Sequence, residues 1–375
     1  MAMDFNDLLN LMSEKKASDL FITADVEPSM KINGQLTPIS STKLTGEIAD
    51  QLIHSIMSEK QRKEFSETRE CNFAITNREQ TRRYRVSAFY QRDLPGMVLR
   101  RIEHKIPSVE ELKLPPVLKE LVMAKRGIII FVGATGTGKS TSLAALLGHR
   151  NHNSKGHIIT IEDPIEFIHQ HAGCIITQRE VGIDTNSFEV ALKNTLRQAP
   201  DVILIGEIRT KEVMDYAVAF AETGHLVLAT LHANNANQAL ERIIHFFETE
   251  RHEQIYLDLS LNLRAVVAQQ LVPTVDGKSR RAAIEVMINS PLMADYIRKG
   301  EIHELKALMT RSRELGMQTF DQALFDLYKA GEISYKDALR HADSPNDLRL
   351  QIKLSEDGGA NQLFNASSKM TFDGQ

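Results

Sequence analysis

Cysteine is nearly missing from this 375-residue chain: Cys71 and Cys174 stand alone, far apart and without a Cys-x-x-Cys pair. That scarcity excludes a disulfide framework and a thiolate zinc site, and it leaves both residues as small hydrophobes in a reducing cytoplasm. An excess of positive charge is missing too, with 45 Lys and Arg against 49 Asp and Glu for a net charge of −4. No basic loop interleaved with aromatics offers a platform for stacked bases. Together these absences count against a nucleic-acid partner. The N-terminus, Met1-Ala2-Met3-Asp4-Phe5, has neither the basic start nor the apolar centre of a secretory signal. No run approaches the roughly 20 apolar residues of a membrane span. The expectation is a soluble protein without direct membrane insertion, long enough for two or three domains.

What is present is a phosphate-binding loop. Gly133-Ala134-Thr135-Gly136-Thr137-Gly138-Lys139-Ser140-Thr141 follows the apolar run Ile128 to Val132 and precedes an alanine- and leucine-rich stretch. Glycines at 133, 136 and 138 permit turns that aim successive N–H groups at a phosphate, and the helix from Lys139 adds its positive end. Lys139 is placed to reach the β- and γ-phosphates, and the Ser140 hydroxyl to ligate Mg²⁺. A nucleoside triphosphate follows from this pattern.

Apolar runs alternating with helices over residues 117 to 290 predict a mostly parallel α/β sheet covered on both faces. Its strands are read at Ile128 to Val132, Ile158 to Ile161, Val202 to Ile205, Leu226 to Thr230 and Ala283 to Ile288. Residues 1 to 104 read as a separate small α/β domain. It has a first helix lined by Phe5, Leu8, Leu9 and Met12, strands ending at Asn33-Gly34, and a later strand pair joined by a turn at Pro95-Gly96. Residues 105 to 116, with three prolines, read as the linker, 117 to 345 as the main domain with helices at its end, and 346 to 375 as a mobile polar tail.

A triphosphate site needs acids at strand ends beside the loop. Glu162, Asp163 and Glu166 cluster after one strand, and Glu207 ends the apolar run Val202 to Ile205, followed by Arg209. His225 and His232 bracket a further strand. Taken alone, each histidine is more often a satisfied structural residue, and metal ligation by the pair lacks a third ligand.

In this order the boxes resemble one family: the ring-forming secretion ATPases of type IV pili and type II secretion. The resemblance covers residues 4 to 345 and rests on the loop, on Ile161-Glu162-Asp163-Pro164-Ile165-Glu166, on Gly206-Glu207-Ile208-Arg209, and on Ala221 to His225 with Thr230-Leu231-His232. Ala17-Ser18-Asp19-Leu20 and the missing tetracysteine element resemble its PilT/PilU retraction branch, and residues 28 to 34 and 228 to 239 look closer to the accessory, PilU-type members. Met293 to Gly300 stands where the principal retraction members carry a different motif.

The resemblance implies a RecA-like P-loop ATPase core, a PAS-like N-terminal domain and a helical C-terminal region, assembled as a homo-hexamer with ATP and Mg²⁺. It implies Glu166 and Glu207 as catalytic carboxylates, Arg85 and Arg100 as nucleotide-closing arginines, and Glu162, Asp163, Arg209, His225 and His232 as sensing or coupling residues. Implied partners are a PilT-like paralogue and an inner-membrane pilus platform protein, met at the cytoplasmic face of that membrane. Two other readings stay open on the residues: an accessory ring subunit that works by binding, and a nucleic-acid translocase on the same core.

Overall fold

A computed structural model describes residues 4–78, 82–102 and 105–356. The chain divides into two compact units. One holds the chain up to Ile106 together with Asp163–Gln170 and Gln178–Ala191, and the other holds the remainder.

The first unit starts with helix α1 (Phe5–Glu14), capped by the Asp4 side chain and buried through Phe5, Leu8, Leu9 and Met12, as their helical spacing requires. Strands β1 (Asp19–Thr23), β2 (Ser29–Ile32) and β3 (Gln35–Pro38) follow, then α2 (Gly46–Ser55), α3 (Glu59–Thr68), β4 (Glu70–Thr76), β5 (Arg83–Gln91) and β6 (Leu94–Arg101). They form a six-stranded sheet in the order β3-β2-β1-β6-β5-β4. The three helices share one core with the strands: Leu9, Met12, Ile53 and Phe65 pack with Leu20, Val86 and Leu99. Alternation along β5 buries Tyr84, Val86 and Ala88 and so sends Arg83 and Arg85 to the opposite face.

The turn expected at Pro95-Gly96 lies elsewhere. Arg92 and Asp93, at φ 48° and 60°, make it, and Pro95 and Gly96 are in β6 opposite Tyr90 and Phe89. Gly96 is there for closeness: a Cβ would meet the Phe89 ring at 3.1 Å and Thr23 Oγ1 at 3.2 Å. Asn33-Gly34 does turn the chain, into the short edge strand β3, which the sequence reading lacked.

The second unit contains α4 (Val117–Val122), β7 (Gly127–Val132), α5 (Lys139–Asn153), β8 (Gly156–Glu162), β10 (Val202–Ile205), α7 (Lys211–Glu222), β11 (Leu226–Leu231), α8 (Ala236–Ile244), α9 (His252–Asn262), β12 (Leu263–Pro273) and β13 (Arg280–Ile288). Strand β9 (Cys174–Glu180) and helix α6 (Phe188–Thr195) are shared between the units along the chain. The seven strands run β13-β12-β7-β11-β10-β8-β9. The registers from β12 through β7, β11 and β10 to β8 are parallel, and β13 joins β12 antiparallel. Strand β7 is buried along its whole length, with Ile129 and Phe131 packed against Leu118 and Val122 of α4 and Leu143 and Leu147 of α5.

The stretch read as a linker is folded from Pro107 onward, because Val109 and Leu114 enter this same core. Helices α10 (Pro291–Lys299), α11 (Leu305–Thr310), α12 (Phe320–Lys329), α13 (Tyr335–His341) and α14 (Pro345–Glu356) complete the unit. The expected tail from 346 therefore opens as a helix, held by Leu348 and Ile352, one turn apart and buried. Its remainder, 357 to 375, lies outside the described residues. Among those, no helix is long and apolar enough to cross a membrane.

Candidate active site

The loop after β7 has the backbone its glycines permit: Gly133, Gly136 and Gly138 sit at φ 149°, 80° and 88°. At two of them a side chain would collide with the neighbouring strand, since a Cβ on Gly133 would lie 2.6 Å from the Gln269 carbonyl oxygen and one on Gly138 2.7 Å from Gln269 Nε2. Gln269, buried in β12, is a site residue that the sequence did not disclose. Its Nε2 donates to the Thr137 carbonyl at 2.8 Å and its Oε1 accepts from Ser142 Oγ at 2.8 Å, clamping loop and helix together.

Helix α5 starts on Gly138 with no side-chain cap, so its first-turn N–H groups face the loop unclaimed by a cap and suit an anion. Lys139 is half-buried and its Nζ donates to the carbonyls of Gly133 and Ala134 at 2.7 and 2.9 Å. Burial lowers the affinity of that ammonium for its proton, and the Glu207 carboxylate opposes the shift. Ser140 and Ala134 to Gly136 are exposed, while Thr137 bonds back to Ala134 and Thr141 borders a neighbouring pocket.

Glu207 follows β10 and stands where parallel strands release their chain toward ligands. Arg209 holds its Oε2 through Nε and Nη2 at 2.7 and 2.6 Å, and His232 Nε2 lies 3.2 Å from its Oε1. The main chain fixes this group: Gly206 N–H donates to Ile161, Ile208 N–H donates to Thr230, and the Thr230 hydroxyl donates to Gly206. Glu162, at the end of β8, accepts from Thr160 Oγ1 at 2.6 Å, and Asp163 beside it is exposed.

An open cleft of about 600 Å³ runs from Gly133, Ala134 and Thr135 past His232 to Gln238 and Arg242 of α8. A second, of about 390 Å³, is bordered by Gly138 and Thr141 on one side and by Leu112, Leu271 and Arg281 on the other.

The two histidines part company. His232 is beside Glu207, whereas His225 precedes β11 at the opposite edge of the sheet, with Nδ1 3.1 Å from both Thr223 Oγ1 and the Phe220 carbonyl.

Arg85, Arg100 and Glu166 gather in the first unit. Arg85 and Arg100 are direct cross-strand neighbours, an unfavourable pairing of like charges. Asp19 relieves it by accepting from Arg100 Nε at 2.8 Å, and Glu166 adds a more distant attraction. Behind them lies buried Glu180, whose carboxyl burial pushes up while Arg83, the Ile165 N–H and Arg85 pull it down. Nothing local in the sequence marks it.

The sequence profile of the Type II/IV secretion system protein family matches residues 2–337. The chain belongs to that family. Within it the chain lies in the PilT/PilU branch of type IV pilus ATPases: it is 67% identical to the Type IV pilus ATPase PilU of Pseudomonas aeruginosa, over 99% of this chain and 97% of that one. It is 38% identical to the retraction ATPase PilT of the same organism, over 92% of this chain and 100% of that one. A crystal structure of the pilus retraction motor PilT with bound ADP superimposes with a TM-score of 0.86 at 37% identity, covering 92% of this chain and 99% of that chain. The Legionella pneumophila ATPase DotB gives 0.78 at 26% identity, over 90% and 94%. The secretion-ATPase core is thus a RecA-like one.

Proposed function

We propose that this secretion-family ATPase is a subunit of a homo-hexameric motor that supports type IV pilus retraction, working as accessory to a PilT-like paralogue. It would act at the cytoplasmic face of the inner membrane on a pilus platform protein. The observation that carries the reading is the convergence of Lys139, Glu207 and His232 around an uncapped helix N-terminus.

ATP would lie with its β- and γ-phosphates in the loop 133 to 141 and its nucleoside toward the smaller pocket beside Thr141. Lys139 must leave the carbonyls of Gly133 and Ala134 to reach the phosphates. The exposed Ser140 hydroxyl and the partly exposed Glu207 would hold Mg²⁺, which would supply positive charge against the negative charge of the triphosphate. Glu166 takes the proton of the attacking water, the new P–O bond forms at the γ-phosphorus, and the bond to the β-bridging oxygen breaks, leaving ADP and phosphate. Arg85 and Arg100 are assigned to reading the γ-phosphate.

Oligomer mass and ATPase rate measured together, with and without the PilT-like paralogue, test this reading. A hexamer whose turnover depends on Glu166 is expected. A monomer with no ATP turnover in either condition would refute the motor.

A further inference from the structure

Glu285 lies inside β13, 2% exposed, in a run that is otherwise apolar. Its Oε1 accepts from the Ala236 N–H at 2.8 Å, and the Phe320 N–H is a second backbone donor to the same carboxylate. Ala236 is the first residue of α8 and Phe320 the first of α12. Both helices already have side-chain caps, Asn235 accepting from Gln238 N–H and Thr319 from Gln322 N–H. Glu285 takes up the next orphan donor of each, where two positive helix ends converge.

The two helices differ in what they carry. Helix α8 follows directly on His232 to Asn235 and supplies Gln238 and Arg242 to the larger cleft. Helix α12 packs on β13, α13 and α14 at the C-terminal end of the unit. Lys306 of α11 and Asp343 beyond α13 face Glu285, and Lys306 is shared with Asp343 and with Asp321 of α12, at 2.8 and 3.9 Å.

We propose that Glu285 is a positioning residue for the phosphate cleft: holding the starts of α8 and α12 on one carboxylate, it makes the segment that bears His232 and the C-terminal helices move as one body. This rests on the reading of the loop 133 to 141, which borders that cleft, as the seat of the β- and γ-phosphates. Burial pushes the Glu285 carboxyl up to about 7, against the pull of Ala236, Lys306 and Phe320. A proton on one oxygen leaves a single good acceptor to be shared by the two N–H groups, so acidification loosens the hold on both helix starts.

The test is hydrogen exchange and steady-state ATP hydrolysis on the full chain, wild type against Glu285→Gln and Lys306→Met. Exchange is expected to speed up in both residues 236–244 and 320–329 of Glu285→Gln. Its kcat should fall about tenfold with KM within about twofold, as for a supporting partner rather than a ligand contact. The acid limb of the wild-type kcat profile should flatten in Glu285→Gln and move to higher pH in Lys306→Met, which removes a stabilising cation at a partly exposed position. If only one helix responds, or if the acid limb survives in Glu285→Gln, the proposal is overturned. Wild-type protein that neither binds ADP nor hydrolyses ATP would sink the reading of the cleft, while the exchange experiment would still decide the coupling.

Discussion

The two edges of the parallel sheet in the second unit carry similar residues to opposite ends. At the edge where β7, β10 and β11 finish, Lys139, Glu207 and His232 converge on one another and on an uncapped helix start. At the edge where these strands begin, His225 closes onto Phe220 and Thr223, and Gly127 N–H donates to His225. There too His157 spans Gln198 and Thr177 while its own N–H donates to Asp201. One edge leaves polar groups partly exposed in a cleft, and the other uses them up in closing the fold. A parallel sheet makes this asymmetry, because every following helix presents its N–H groups at the finishing edge.

The comparison breaks if substitutions at the two edges have the same consequences. Lys139→Ala should have the largest effect, lowering kcat/KM by roughly a thousandfold or more while moving Tm by no more than a few degrees. Gln269→Ala should show both kinds of damage. Leaving Thr137 and Ser142 without their buried partner costs about 1–3 kcal/mol, and the slackened loop should weaken ADP binding about tenfold, read by calorimetry. His225→Asn is expected to cost about 1 kcal/mol in urea unfolding and to leave ADP affinity within about twofold.

A further effect is a pH dependence. The native carboxyl of Glu285 titrates at about 7, above the ordinary glutamate value, so the folded state holds a proton that the unfolded state has released. Its contribution to stability is therefore greatest below about pH 4 and declines as pH rises from there to about 7. Urea midpoints from pH 5 to 8 should fall more for wild type than for Glu285→Gln.

Much of the finishing edge was legible in the sequence, because its signals are local. Glycine spacing set the loop, the apolar run set β7, and Thr210 caps α7 by accepting from Val213 N–H. What escaped depends on distant pairing. Gln269 reaches Ser142 across the β7–β12 register, and Glu285 sits in an apolar strand with donors from two remote helices. The Arg85–Arg100 adjacency likewise needs the β5–β6 register. Helix α3 did carry a local sign, the Ser58–Gln61 capping box, but it buries only Phe65 and so has almost no apolar stripe to read. The Pro95-Gly96 reading failed because glycine there serves packing against Phe89 rather than a turn.

At the centre of the proposal, Glu207 at the finishing edge, arranged by Arg209 and His232, orders the Mg²⁺ shell for the step in which Glu166 takes the proton. The most direct measurement is single-turnover ATP hydrolysis by Glu207→Gln, with ADP affinity determined on the same sample. The account predicts hydrolysis slowed at least about a hundredfold with ADP binding nearly intact. Wild-type single-turnover rates in Glu207→Gln would contradict it.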